Sequence, residues 1–175
     1  MSELAKRIRD TKVDQDSVAI FWLSGGGFVF KTGRGKIVFA DPYLSDSANR
    51  VFDMVRMVPI PMSPEEVKAD YVAITHDHLD HLDPDTLLPM AQTSDVKFVG
   101  PLWCIYHLRL LNISRDRLTE LNEGQGAELE DGIKITAVHA EHPWTPAVGF
   151  VFDFDGVRIY LSGDTKYHEK LEEVV

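Results

Sequence analysis

The stretch Thr75-His-Asp-His-Leu-Asp-His81 holds three of the seven histidines of the chain within six residues. It directly follows a short apolar run that is typical of a buried β-strand. Imidazole nitrogens and carboxylates are the natural ligands of zinc and related ions, and a loop at a strand end can aim alternate side chains at one point. We therefore predict that His76 and His78 converge on one metal ion. Asp80 and His81 lie further round the loop and are predicted to face a second ion.

The alternative interpretation of this stretch is a run of solvated polar residues that caps the following helix, with Asp83-Pro84 as its N-cap and first-turn pair. A helix N-terminus needs only one such capping residue and would not recruit three histidines. We therefore predict that Asp83 alone is the cap and that the histidine cluster binds metal.

Composition and charge narrow the class of protein. The chain has 175 residues, 44% of them apolar, which is enough for one globular domain with an ordinary core. Its formal net charge is −10. Because nucleic-acid binding draws mainly on Lys and Arg contacts to phosphates, DNA and RNA are disfavoured as partners. No apolar stretch approaches the roughly 20 residues needed to cross a bilayer, so no membrane span is predicted.

Cys104 is the single cysteine, so an internal disulfide is excluded, and no apolar run follows the charged start of the chain. We therefore predict a cytoplasmic protein. Cys104 lies in an apolar segment over residues 102–111, where a buried structural thiol is favoured over a nucleophile.

Periodicity and turn signals predict an α+β chain that opens with antiparallel strands, joined by the turn Gly33-Arg-Gly35, and continues with β-α-β units. The predicted strands are Val18–Leu23, Phe28–Lys31, Lys36–Ala40, Tyr71–Thr75, Val96–Gly100, Leu118–Leu121, Ile133–Val138, Val148–Phe154 and Arg158–Leu161, the last two joined by Asp155-Gly156. The predicted helices are Glu3–Arg9, Pro84–Gln92, Leu102–Leu111 and an amphipathic helix over Lys166–Val175. Residues 45–64, rich in Met, Pro and polar side chains, are predicted to form an irregular surface loop.

These motifs resemble those of a known family. Thr75-His-Asp-His-Leu-Asp-His81 resembles the signature of the metallo-β-lactamase fold, and Ser162-Gly-Asp-Thr165 resembles its later strand-end aspartate. The segment Ile135-Thr-Ala-Val-His-Ala-Glu-His142 falls where that family places another histidine. Together with Gly26-Gly-Phe28 and Asp41-Pro-Tyr-Leu44, the pattern is most similar to the branch that contains the L-ascorbate-6-phosphate lactonase.

The resemblance implies two sets of metal ligands. They are His76, His78 and His142 around one ion, and Asp80, His81 and the bridging Asp164 around the other. His139 stays open as the alternative to His142. His142 is favoured because the strand alternation of residues 133–138 has ended by then, which leaves it free in a loop. Trp144 follows closely, and it is expected either to wall the substrate pocket or to pack on the surface.

The resemblance also implies an α+β fold, the metallo-β-lactamase αββα four-layer sandwich, in one domain over residues 1–175. In that family the second half ends with a further metal-binding histidine beyond Ser162–Thr165, and this chain stops first. We therefore expect the domain to be incomplete at its C-terminus, with apolar surface left uncovered.

The expected function is hydrolysis assisted by two divalent ions, zinc or manganese. A metal-bridged hydroxide would attack a carbonyl or phosphoryl centre, while Asp80 orients the nucleophile or takes up a proton as the catalytic residue. A site of about one positive charge favours a small anionic lactone, ester or phosphoester. The alternatives are a phosphodiesterase or nuclease of the same fold and a non-catalytic metal-binding module. Substrate, metal and oligomeric state stay open, and a homo-oligomer is compatible with the sequence.

Overall fold

Two β-sheets and one layer of helices make up the chain in a computed structural model that describes residues 1–174. The helices are α1 (Glu3–Asp10), α2 (Ser47–Phe52), α3 (Pro84–Thr93) and α4 (Leu102–Leu110). The strands are β1 (Val18–Ser24), β2 (Gly27–Thr32), β3 (Ile37–Ala40), β4 (Tyr71–Ala73), β5 (Lys97–Gly100), β6 (Leu118–Glu120), β7 (Gly126–Glu128), β8 (Ile133–Ala140), β9 (Ala147–Phe154) and β10 (Val157–Leu161). Short 3-10 turns lie at Pro64–Glu66, Arg115–Arg117, Glu130–Gly132 and Glu169–Glu173.

The first sheet has the strand order β1-β2-β3-β4-β5-β6. Its first three strands are antiparallel, and β3 to β6 run parallel to one another. Both features confirm the organisation predicted from the turn signals and from the alternation of strands and helices. Because parallel strands end at the same edge of a sheet, the loops that follow β3 and β4 lie side by side. These two loops build the candidate site.

The second sheet has the order β10-β9-β8-β7, and all its pairs are antiparallel. The predicted Asp155-Gly156 hairpin joins β9 to β10, with positive φ angles at both turn residues. β7 is an additional short strand that the sequence analysis missed. It adds three residues to the sheet edge beside β8, and its polar composition has no strand signature.

Two hydrophobic cores lie between the layers of the fold. One lies between the first sheet and α1, α3 and α4, where Ile8, Leu87 and Leu108 are fully buried. The other lies between the sheets, where Phe150, Phe152 and Phe154 alternate along the inward face of β9. Burying one such side chain contributes about 1.5–3 kcal/mol. The layers are therefore helices, first sheet and second sheet.

This arrangement is the predicted sandwich, with three of its layers within residues 1–174. In the described part of the chain, no helix is long and apolar enough to span a bilayer. Cys104 is buried in the helix-side core, as expected of a structural thiol.

Two local predictions are wrong. The predicted loop over residues 45–64 contains α2, because its first turn is anchored by tertiary contacts: the Ser47 hydroxyl donates to Asp83, and the Ala48 N–H donates to the Tyr43 hydroxyl. The predicted helix Lys166–Val175 is a 3-10 turn over Glu169–Glu173, with Val175 outside the described residues. Residue 166 is extended instead, because its N–H donates to the Glu141 carbonyl across a β-bridge.

Candidate metal centre

The predicted metal-binding loop lies where both sheets end. Asp41 follows β3 and the Thr75–His81 loop follows β4, and the Asp41 N–H donates to the Ala73 carbonyl at 2.9 Å. The second sheet is tied to the same edge, because the Val148 N–H donates to the Thr75 carbonyl at 3.0 Å. The ends of β3 and β4 and the start of β9 therefore meet at one place.

Three histidines form the first group of converging side chains. One ligand atom from each of His76, His78 and His142 lies within 4.8 Å of the other two. Nε2 of His142 is 3.1 Å from Nδ1 of His78, and the His76 ring centroid is 4.6 Å from each of the other two rings. Three imidazole nitrogens at this spacing can surround one divalent cation.

His76 also belongs to a second group, with His81 and Asp164. Nε2 of His81 is 3.4 Å from a carboxylate oxygen of Asp164 and 3.8 Å from one of Asp80. Asp80 lies at the edge of this group, with 35% of its side chain exposed. The two groups share one residue and therefore suit two neighbouring ions.

The fully buried His76 has a defined orientation. Its Nδ1 is 3.0 Å from the Thr75 hydroxyl, which itself donates to Asp41 at 2.6 Å. The hydroxyl can then accept the Nδ1 proton of His76, which leaves Nε2 with a free lone pair. That Nε2 is buried and has no hydrogen-bond partner within the described chain. Burial and then the neighbouring charge of His81 lower the pKa of His76 to about 3, so the ring is neutral, as a metal ligand must be.

His81 lies between carboxylates. Its Nδ1 donates to the fully buried Asp41 at 2.9 Å, so its Nε2 points towards Asp164. Burial by itself would lower the pKa of His81, but Asp41, Asp164 and Asp80 together raise it to about 10. The hydrogen bond from His81 in turn holds the pKa of Asp164 at about 2. This environment favours a positive charge at Nε2, and a metal cation can take the place of the proton there.

The donor set therefore fits divalent metal ions. A buried imidazole nitrogen without a partner is rare in folded proteins and needs an explanation, and a cation at Nε2 of His76 provides one. Nitrogen and carboxylate ligands suit zinc, and the mixed set also suits manganese.

The structure brings the six predicted ligands into one cluster: His76, His78, Asp80, His81, His142 and Asp164. We call these six residues the metal cluster. His142 is part of it, whereas His139 lies on β8, donates from Nδ1 to Glu123 at 2.8 Å, and packs against His168. Asp83 is the N-cap of α3, as predicted.

Two further aspartates lie beside the metal cluster. The sequence analysis gave neither of them a role in the site. Asp41 holds both Thr75 and His81, and a carboxylate that fixes a metal-binding imidazole commonly tunes its affinity for metal. Asp77 belongs to neither group of ligand atoms; it accepts from the Thr145 hydroxyl and lies 3.3 Å from His107. The role of Asp41 follows from its position at the end of β3, a strand that pairs in parallel with β4. Local sequence patterns do not show which strands pair.

Gly163 explains how Asp164 reaches the cluster. Its φ angle is +57°, and a Cβ atom at this position would lie 2.9 Å from the side chain of Thr75. Only glycine combines this backbone conformation with so close an approach. The turn after β10 thus places the aspartate beside His81.

Layered sheets whose strand ends carry a His-x-His-x-Asp-His loop define the metallo-β-lactamase fold. Residues 36–175 match the family described as the beta-lactamase superfamily domain, and the chain belongs to that family.

Curated relatives carry related names. A UPF0173 metal-dependent hydrolase of Archaeoglobus fulgidus is 32% identical over 160 residues, which cover 83% of this chain and 61% of that protein. An uncharacterized protein of Mycobacterium tuberculosis is 29% identical over 172 residues, which cover 92% of this chain and 46% of that protein. The chain thus spans about half the length of the curated relatives it matches.

Solved structures share the fold. Igni18, a metallo hydrolase from Ignicoccus hospitalis, superimposes with a TM-score of 0.66 at 23% identity over 90% of this chain and 65% of that one. CmlA, a diiron β-hydroxylase from Streptomyces venezuelae, gives a TM-score of 0.66 at 15% identity over 94% of this chain and 33% of that one. Proteins that share this fold therefore catalyse different reactions, so the function of this chain must be argued from its site.

Proposed function

We propose that this chain carries the two-metal centre of a hydrolase that cleaves a small anionic lactone, ester or phosphoester. One observation carries the proposal: two three-residue groups of ligand atoms share His76, whose buried Nε2 has no partner in the described chain. The names of the UPF0173 metal-dependent hydrolases support the same class of reaction.

The proposed ligand sets keep the first group unchanged and add Asp80, which lies 3.8 Å from Nε2 of His81, to the second. His76, His78 and His142 would hold one ion, and His81 with Asp80 would hold the other. Asp164 would be shared by the two ions, because one of its carboxylate oxygens lies within 4.8 Å of ligand atoms of both His76 and His81. Ions bound here, zinc or manganese, activate water and polarise the oxygen of a carbonyl or phosphoryl group.

Asp80 is proposed as the residue that accepts and holds the proton of the attacking water. Its side chain is half-buried, lies beside His81, and lines the cavity that opens over the metal cluster. A carboxylate within reach of both water and substrate can act as a general base without a protein nucleophile. Cys104 is unsuited to that role, because it is fully buried and burial raises the pKa of its thiol.

The charge of the chain favours this class over a nuclease. The formal net charge is −10, and the cavity over the cluster is lined by three aspartates and no Lys or Arg among the described residues. Phosphate-rich polymers need a basic surface around the reacting centre, whereas a small molecule can place its single anionic group at the ions.

The test uses the full-length chain, stripped of metal and reloaded with zinc or with manganese. Hydrolysis of a panel of lactones, esters and phosphoesters is measured beside bound metal. Asp164→Ala is expected to lose metal and to lower turnover by about 100-fold or more, whereas Cys104→Ala keeps both. Metal binding without hydrolysis of any compound would favour the non-catalytic module instead, and a dead Cys104 variant beside an active Asp164 variant would overturn the metal mechanism.

A further inference from the structure

Apolar side chains line the cavity beside the metal cluster. The cavity has a volume of about 660 Å³, and four of the six cluster residues contribute to its lining. Phe52, Met54 and Trp144 line it as well, and we call these three side chains the apolar wall. A molecule that places its reacting bond at the cluster therefore lies within reach of the wall.

The apolar wall is exposed to an unusual degree. The exposed fractions are 62% for Phe52, 52% for Met54 and 94% for Trp144. The exposed apolar surface continues along the chain to Val55 and Met57. Single exposed hydrophobic residues are ordinary, but a contiguous patch beside a cavity marks a binding surface.

Trp144 is held in this exposed position. Its φ angle is +71°, a conformation that costs about 1–3 kcal/mol for a bulky residue and persists only where neighbours enforce it. The next residue, Thr145, donates a hydrogen bond from its hydroxyl to Asp77 in the Thr75–His81 loop. This contact ties the segment that carries Trp144 to the loop that carries His76 and His78.

The opposite segment is anchored in a similar way. Phe52 ends α2, whose Ser47 hydroxyl donates to buried Asp83 at 2.8 Å. Beyond the helix, the Arg56 guanidinium donates to the Tyr43 carbonyl at 2.9 Å. The backbone around Phe52 and Met54 is thus fixed by polar contacts while their side chains remain exposed.

We infer that the apolar wall binds an apolar chain of the substrate, so that the substrate is amphiphilic. Its hydrolysable carbonyl or phosphoryl group would lie at the metal cluster, and an alkyl or acyl chain would lie along Phe52, Met54 and Trp144. This inference rests on the proposed function, since it assigns the reacting group to the metal cluster. The described residues that line the cavity include no Lys or Arg, so an anionic group would lie at the metal ions and the apolar part at the wall.

The first experiment measures chain-length dependence with the full-length, metal-loaded protein. The probes are p-nitrophenyl acetate, butyrate, hexanoate and octanoate, and methyl, butyl and octyl p-nitrophenyl phosphodiesters. In the reactive series, kcat/KM is expected to rise by about two- to fourfold per added methylene group until the wall is covered. Trp144→Ser and Phe52→Ser should flatten this slope. Trp103→Ser, a control at an exposed tryptophan outside the cavity, should keep it.

The second experiment measures binding without turnover. Octanoate and butyrate are titrated into the parent protein and the same variants by calorimetry. Octanoate is expected to bind at least tenfold more tightly than butyrate to the parent and to the Trp103 variant, and this preference should disappear in Trp144→Ser.

The outcomes separate the two proposals. Hydrolysis with no chain-length slope and no octanoate preference would overturn the apolar substrate and leave the hydrolase standing. An octanoate preference that needs Trp144, without hydrolysis of any probe, would support the apolar wall and count against the hydrolase. Burial of Trp144 by another part of the full-length protein, detected as protection from acrylamide quenching with no octanoate binding, would also overturn the inference.

Discussion

Asp41→Asn is expected to lower the affinity of the chain for Zn²⁺ by about 10- to 100-fold while the fold is retained. Asp41 is fully buried and accepts three hydrogen bonds: from the Thr75 N–H at 2.7 Å, from the Thr75 hydroxyl at 2.6 Å and from Nδ1 of His81 at 2.9 Å. Asparagine tolerates the positive φ angle of this position, +43°, so the backbone should not change.

The substitution changes which ring nitrogen of His81 carries the proton. An asparagine side chain keeps one acceptor oxygen and replaces the other with an NH₂ donor. With its oxygen on the Thr75 N–H, its NH₂ group meets Nδ1 of His81, which must then accept. In the neutral imidazole, which is the form that binds metal, the proton then lies on Nε2, the atom that faces Asp164, and a protonated nitrogen cannot bind a metal ion.

The expected loss of affinity corresponds to about 1.4–2.7 kcal/mol of binding free energy. Loss of a charged acceptor for buried donors should also lower the free energy of unfolding by about 1.5–3 kcal/mol. Calorimetric titration of the metal-free protein with Zn²⁺ measures the first quantity, and urea unfolding measures the second. Asp16→Asn, at an exposed turn, is the matched control and should change neither. If Asp41→Asn binds Zn²⁺ with the affinity of the parent, the proposed control of His81 by Asp41 is wrong.

Three further predictions test other parts of the site and fold. His76→Ala should remove nearly all tightly bound metal, because His76 is shared by both ligand groups, while His139→Ala should keep the parent's content as measured by mass spectrometry. Gly163→Ala should destabilise the chain by about 1–3 kcal/mol in urea unfolding, because the added methyl group would lie 2.9 Å from Thr75 at a φ angle of +57°; unchanged stability would contradict the close approach. The N–H group of Ser63 holds the pKa of Glu66 at about 2, below its ordinary 4.5, so the stabilisation by this carboxylate is complete above about pH 4.5 and is lost as the pH falls towards 2. Glu66→Gln should therefore lower Tm at neutral pH, and the difference from the parent should narrow as the pH falls through this range.

Local patterns were sufficient where neighbours along the chain decide the structure. Alternation and turn residues located the opening antiparallel strands, the β9–β10 hairpin and the cap of α3 at Asp83. The same patterns failed at α2, which depends on the contact between Ser47 and Asp83, 36 residues away. They also failed for the predicted helix after Lys166, where pairing with Glu141 keeps the backbone extended.

The sequence by itself determined that His76, His78 and His81 follow a buried strand on one short loop, because their spacing leaves the chain little freedom to separate them. Only the tertiary structure decided which distant residues complete the cluster. His139 lies on β8 and contacts Glu123, whereas His142, 64 residues from His78 along the chain, contacts the His78 ring. The parallel pairing of β3 with β4 places Asp41 within hydrogen-bond distance of His81. The end of the strand alternation favoured His142, but such contacts also depend on how strands pair, which a local sequence pattern does not record.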